Sequence, residues 1–111
     1  MIERLPKEFK GRGEVNNYFY TQVYVKKCND GKYAYIYEQT EKFGKNDYYI
    51  AGYEVVKPKI DYKFTFDIID GKRTPVKNDV LKEYYPNSEC FGTNAFSCKT
   101  LQIAMQKIAD F

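Results

Sequence analysis

Between Val15 and Thr40 the chain reads VNNYFYTQVYVKKCNDGKYAYIYEQT, two runs of alternating side chains separated by Asn29-Asp30-Gly31. Alternation at period two marks half-buried strands, because successive side chains leave opposite faces. Asp-Gly between such runs marks a hairpin, since Gly takes the positive φ that a twist-matched turn needs. The pattern predicts strands near 17–28 and 32–40. In the first, Phe19, Thr21, Val23 and Val25 share one face, and Tyr18, Tyr20, Gln22 and Tyr24 the other. In the second, Tyr33, Tyr35 and Tyr37 oppose Ala34, Ile36 and Glu38.

After a polar loop at 41–47, a third strand is expected near 48–57, with Tyr49, Ala51, Tyr53 and Val55 alternating against Ile50, Gly52, Glu54 and Val56. Gly52 in mid-strand suggests a bulge or close packing, and Pro58 stops the strand. Asp70-Gly71 repeats the turn chemistry, so 59–77 reads as an outlying hairpin or as a fourth strand with a brief return. Pro75 argues that the return strand is at an edge or is short. Residues 78–85 fit a helical turn or a short strand equally well. The segment 85–92 is turn-like, and Ala95–Cys98 is a short last strand. Thr100 is a good N-cap for a helix over 101–110, where Leu101, Ala104, Met105 and Ile108 form one apolar stripe. A helix of about three turns does not stand alone, so the stripe must pack on the sheet. The expected fold is α+β: a twisted antiparallel sheet of four or five strands with one C-terminal helix packed on one face.

Composition narrows the picture. A chain of 111 residues suits one domain, here 15–111, preceded by a basic arm over 1–14 in which Arg4, Lys7, Lys10 and Arg12 outnumber the acids and Leu5 and Phe9 offer a tether. Aromatics reach 18%, all Tyr or Phe, which favours sheet. The net charge of +3 is too mild to force a nucleic-acid reading. Cys28, Cys90 and Cys98 have no zinc-type spacing and there is no His, so free thiols in a reducing cytoplasm are expected. No apolar run nears membrane-spanning length.

Without His, the usual general base and metal ligand are missing. Cys90 has no visible base partner, and Asp67 and Asp70 flank a turn that they suit structurally. No catalytic residue, metal or cofactor is expected. The tyrosines carry the remaining interest. Gly31 to Tyr37 loosely echoes an RNA-binding strand signature, and bases stack on exposed tyrosines. An exposed tyrosine face equally suits protein recognition, and amphipathic sheet packing is the bland alternative. The candidate partner-binding set is Tyr18, Tyr20, Tyr24, Tyr33, Tyr35 and Tyr37 with Lys26, Lys27 and Lys32 near the hairpin tip; Lys42 and Lys45 extend the positive rim.

One resemblance adds to this. Gly52 to Val56, Tyr85-Pro86-Asn87-Ser88-Glu89-Cys90-Phe91-Gly92, Ala95 to Cys98 and Leu101 to Ala104 follow in the order of small phage and prophage proteins. Those proteins carry a Gly-Tyr-Glu-Val-Val strand, a variable hairpin, a Tyr-Pro-Ser-Asn-Glu-x-Phe-Gly segment, an aromatic strand and a Leu-x-x-Ala helix. Here Asn87-Ser88 replaces Ser-Asn, and the aromatic strand lacks their Trp. The resemblance spans about residues 15–110 and implies a phage protein, a class that includes inhibitors of host machinery such as anti-CRISPR proteins. The expected function is a non-enzymatic inhibitor that binds a host protein or ribonucleoprotein complex in the host cytoplasm. The alternative is a single-stranded nucleic-acid-binding module using the tyrosine and lysine face.

Overall fold

The computed structural model describes residues 2–11, 17–45, 47–87 and 90–111, with only the backbone of Asn78. Arg12, Glu14 and Val15, Asn46 of the polar loop, and Ser88 and Glu89 of the Tyr-Pro segment lie outside the described residues. The elements are β1 (Ile2–Glu3), β2 (Glu8–Lys10), β3 (Tyr18–Lys27), β4 (Tyr33–Phe43), β5 (Asp47–Val56), β6 (Lys59–Ile69), β7 (Lys72–Tyr84), β8 (Ala95–Cys98) and α1 (Leu101–Ile108). The chain divides into two compact units, Met1–Leu5 with Lys59–Tyr84 and Pro6–Pro58 with Tyr85–Phe111. One domain behind a solvated arm was expected. The described part of that arm instead supplies strands to both units, because β1 and β2 complete main-chain ladders.

The larger unit is α+β. Its sheet is antiparallel throughout, in the order β2-β3-β4-β5-β8, and α1 packs on one face. Gly31 takes φ 83° at the hairpin tip, where Asp30 accepts the Lys32 N–H at 3.0 Å and the Lys57 ammonium at 2.7 Å. Two extra residues disturb the ladders. Val23 is inserted in β3, between the pairs Gln22–Tyr37 and Tyr24–Ile36, and Ala51 in β5, between Thr40–Ile50 and Gln39–Gly52. Gly52 sits beside this second bulge, and a Cβ there would stand 3.0 Å from the Cys98 carbonyl oxygen.

Under α1 lies an apolar core of Cys28, Ala34, Ile36, Val55 and Cys98, closed by Ala104 and Ile108. Fully burying a side chain such as Ile36 or Val55 contributes about 1.5–3 kcal/mol. Both ends of the helix are held. The Thr100 hydroxyl accepts the Ile103 N–H at 3.2 Å. The Lys26 ammonium donates to the carbonyls of Ile108, Ala109 and Phe111 at 3.1, 3.1 and 2.9 Å, meeting the negative end of the helix dipole. Of the expected stripe only Ala104 and Ile108 are seated; Leu101 and Met105 are exposed.

The smaller unit is a long β6–β7 hairpin with β1 added in parallel along β7 in the order β1-β7-β6. Asp70 and Gly71 have φ of 53° and 74°, the paired positive values that a type I′ turn needs. Residues 78–84 continue as strand, so their helical reading falls away. Residues 78–80 stand against Lys63 alone, where the register slips. Glu83 is buried and accepts from Arg4 at 3.1 Å and from the Leu5 N–H at 3.0 Å.

Candidate functional site

The tyrosine face is occupied by the protein's own residues. Tyr20, Tyr35 and Tyr37 are 4%, 4% and 0% exposed. The expectation that one helix could cover only one side of the sheet missed two further segments. Phe9 of β2 lays its ring on Tyr20, with centroids 4.7 Å apart and planes at 11°. It meets Tyr37 and Tyr85 edge-on at 5.2 and 5.1 Å, and Tyr85 meets Tyr37 at 5.6 Å. Phe9, read as a tether on an arm, is the missing cover.

The cluster is polar at its rim and fully paired. The Tyr37 hydroxyl donates to the Pro6 carbonyl at 2.6 Å and accepts from Gln22 at 3.2 Å. Gln39 donates to the Tyr20 hydroxyl at 3.0 Å, and the Tyr85 hydroxyl donates to the Glu54 carboxylate. Burial raises Glu54 above the usual carboxylate range, opposed by the Tyr85 hydrogen bond. Burial, then the Glu54 charge, pushes Tyr20 up to about 12 and drives Tyr85 upward as well. Buried phenols with satisfied hydroxyls build a polar core.

The rest of the candidate set is scattered. The Val23 insertion reverses side-chain parity, so Tyr24 lies opposite Ile36 on the helix side and Val25 joins Tyr35. Tyr18 and Tyr33 are half-buried. Lys26 is committed to the end of α1, while Lys27 and Lys32 are exposed. The nine residues therefore do not form one recognition face.

A different surface is open. An eight-residue helix is about 12 Å long at 1.5 Å per residue. Strands of 10 or 11 residues run about 33 Å or more. On the helix side, α1 therefore leaves the far end of β3, β4 and β5 bare. Cross-strand pairing lines up Lys10, Phe19, Thr40 and Ile50 in one row and Lys42 with Tyr48 in the next. Phe19, Ile50 and Tyr48 are 39%, 54% and 58% exposed. A groove of about 520 Å³ lies here, lined by Lys10, Asn17, Tyr18, Phe19, Lys42 and Tyr48. Neither lysine has an ion-pair partner among the described residues. On the opposite face of this end, Phe43 and Tyr49 meet at 5.5 Å, and the Tyr49 hydroxyl donates to Glu41. That bond raises the Tyr49 phenol above its ordinary value. Of these residues Tyr18 belonged to the expected set and Lys42 to its expected positive rim. The signal for the others was the mismatch between a short helix and long strands.

Cys28 and Cys98 are buried, and burial raises the Cys98 thiol. Cys90 is half-buried in a turn whose carbonyl accepts from Thr93 and Asn94. Among the described residues no three His, Cys, Asp or Glu side chains are grouped to hold a metal, and no helix is long and apolar enough to cross a membrane. Comparison with protein-family models, curated proteins and solved structures finds no match in any of the three.

Proposed function

We propose that this chain is a non-enzymatic binding protein that occupies and blocks a host defence complex in the host cytoplasm, with CRISPR effectors the first targets to test. The observation that carries this reading is the bare end of the five-stranded sheet. Phe19, Tyr48 and Ile50 stand exposed on paired strands beside Lys10 and Lys42. Rigid aromatic side chains ringed by cations give contact area at low entropic cost. The order of motifs from Gly52 to Ala104 supplies the phage-inhibitor part of the proposal. Expression in cells carrying an active CRISPR system is expected to restore phage plaques. A Tyr48→Ala, Ile50→Ser variant with unchanged circular dichroism is expected to lose that effect. Undiminished interference, together with no host complex retained by the tagged protein, would refute the proposal.

The groove also favours a second reading, a single-stranded nucleic-acid module. Lys10 and Lys42 would meet phosphates while a base stacks on Phe19 or Tyr48, worth about 1–3 kcal/mol per base. Its mark is a steep fall of affinity with salt. That slope is expected to shrink in a Lys10→Glu, Lys42→Glu variant. Absence of oligonucleotide binding at low salt would remove this reading and leave the first untouched.

A further inference from the structure

The β6 edge offers a pairing surface of a different kind. β6 is an outer strand of its sheet, 11 residues long and without proline. Phe64, Phe66 and Ile68 along it are 48%, 56% and 81% exposed. In a two-residue hairpin the pair flanking the turn, here Ile69 and Lys72, exchanges main-chain hydrogen bonds, and such pairs recur at every second position. Asp67–Thr74 and Thr65–Val76 are then the hydrogen-bonded pairs. The N–H and C=O groups of Phe64, Phe66 and Ile68 point away from β7.

The outer edge of β7 is treated differently. Pro75 lies opposite Phe66 in one of the intervening pairs, so the N–H it lacks belongs to the outer side. Further along, β1 pairs with that edge at Leu81 and Lys82. One edge of the ribbon is blunted or covered, and the other is open from Phe64 to Ile68, the arrangement that invites strand pairing. At Tyr62 the N–H already donates to the Asp61 carboxylate at 2.8 Å and the carbonyl accepts from the Tyr84 hydroxyl at 3.1 Å.

We propose that β6 pairs antiparallel with β6 of a second copy of this chain, across a two-fold axis at Thr65. This register sets Phe64 against Phe66, Tyr62 against Ile68, Lys63 against Asp67 and Thr65 against itself. Aromatic pairs, aromatic with β-branched, opposite charges and Thr–Thr are the cross-strand combinations that stabilise a ladder. Lys63 also holds Glu3 at 3.0 Å, and it lies between that carboxylate and Asp67 of the second copy. Moving the axis to Phe64 would place Asp61 against Asp67, a like-charge pair. Moving it to Phe66 would lose both the Lys63–Asp67 and the Thr65–Thr65 pairs. Because β7 is blunted, association closes at two copies and does not propagate.

Light scattering across a concentration series, from micromolar to near-millimolar, is expected to show a monomer–dimer equilibrium. Thr65 sits at a non-hydrogen-bonded position on the axis, where Cα atoms approach to about 4.5 Å, within disulfide reach. Thr65→Cys is therefore expected to cross-link to a dimer under mild oxidation, beyond the level given by the native cysteines in the unsubstituted protein. Asp67→Lys, which sets Lys63 against a lysine twice per dimer, is expected to weaken dimerisation by about tenfold. Phe66→Pro removes an outward N–H without touching the ribbon's own hydrogen bonds, and is expected to give monomer with unchanged circular dichroism. A protein that stays monomeric throughout, no cross-link above background, or a dimer indifferent to Asp67→Lys would each overturn the proposal.

Discussion

Lys26 was read as a recognition residue and turns out to be a structural one. Its ammonium closes the C-terminal carbonyls of α1 from a neighbouring strand, so Lys26→Met is expected to lower stability by about 1–2 kcal/mol, measured as a shift in the urea midpoint. Glu54 gives a prediction with a sign. Its folded value is raised above the ordinary 4.5 by burial, so the native state favours the protonated form. Its contribution is fully present below that value and is lost as pH rises through the folded one. Glu54→Gln keeps an acceptor for Tyr85 and is expected to flatten this decline, so that its stability relative to the native sequence improves from acid to neutral pH. A constant difference at all pH values would show that the carboxylate does not titrate as described. Asp30 has the opposite sign. Its hydrogen bond to Lys57 lowers it below 3.8, so its contribution holds above that value and fades in acid.

At the scale of elements, local chemistry was legible and long-range pairing was not. Both Asp-Gly turns and the Thr100 cap are written in neighbouring residues, and the α+β class followed from them. The Val23 bulge left no trace, because a valine fits the alternation whether or not it is paired. Yet this one residue decides which face Tyr24 occupies. β1 and β2 contain two and three residues, too few to show an alternation of their own, and β1 exists only through β7, far along the chain. Burial of the tyrosines was hidden for the same reason, since Phe9 and Tyr85 reach them from elsewhere in the chain. Gly52 was legible as a close approach. Gly52→Ala must push the Cys98 carbonyl aside and is expected to cost about 1–3 kcal/mol, read from chemical denaturation.

At the scale of the molecule, residues 59–84 leave the larger unit and return to it at paired positions, since Lys59 lies opposite Tyr84. Pro58 and Tyr85 are thus brought close together by the hairpin. Segments with adjacent ends are those most readily removed or replaced. Substituting a short Gly-Ser link for 59–84 is expected to leave the five-stranded sheet folded, with a cooperative melt. Loss of that cooperativity would show that the larger unit depends on the insertion.

The aromatic cluster also equips the protein with its own optical reporter. The chain has no tryptophan, so phenol emission is not masked by indole. Tyr85, hydrogen-bonded to the Glu54 side chain, is expected to emit weakly while that contact lasts. Release of Tyr85 from Glu54 is then expected to brighten the native fluorescence. Separation of the Tyr85 segment from the sheet could thus be followed in real time without any label.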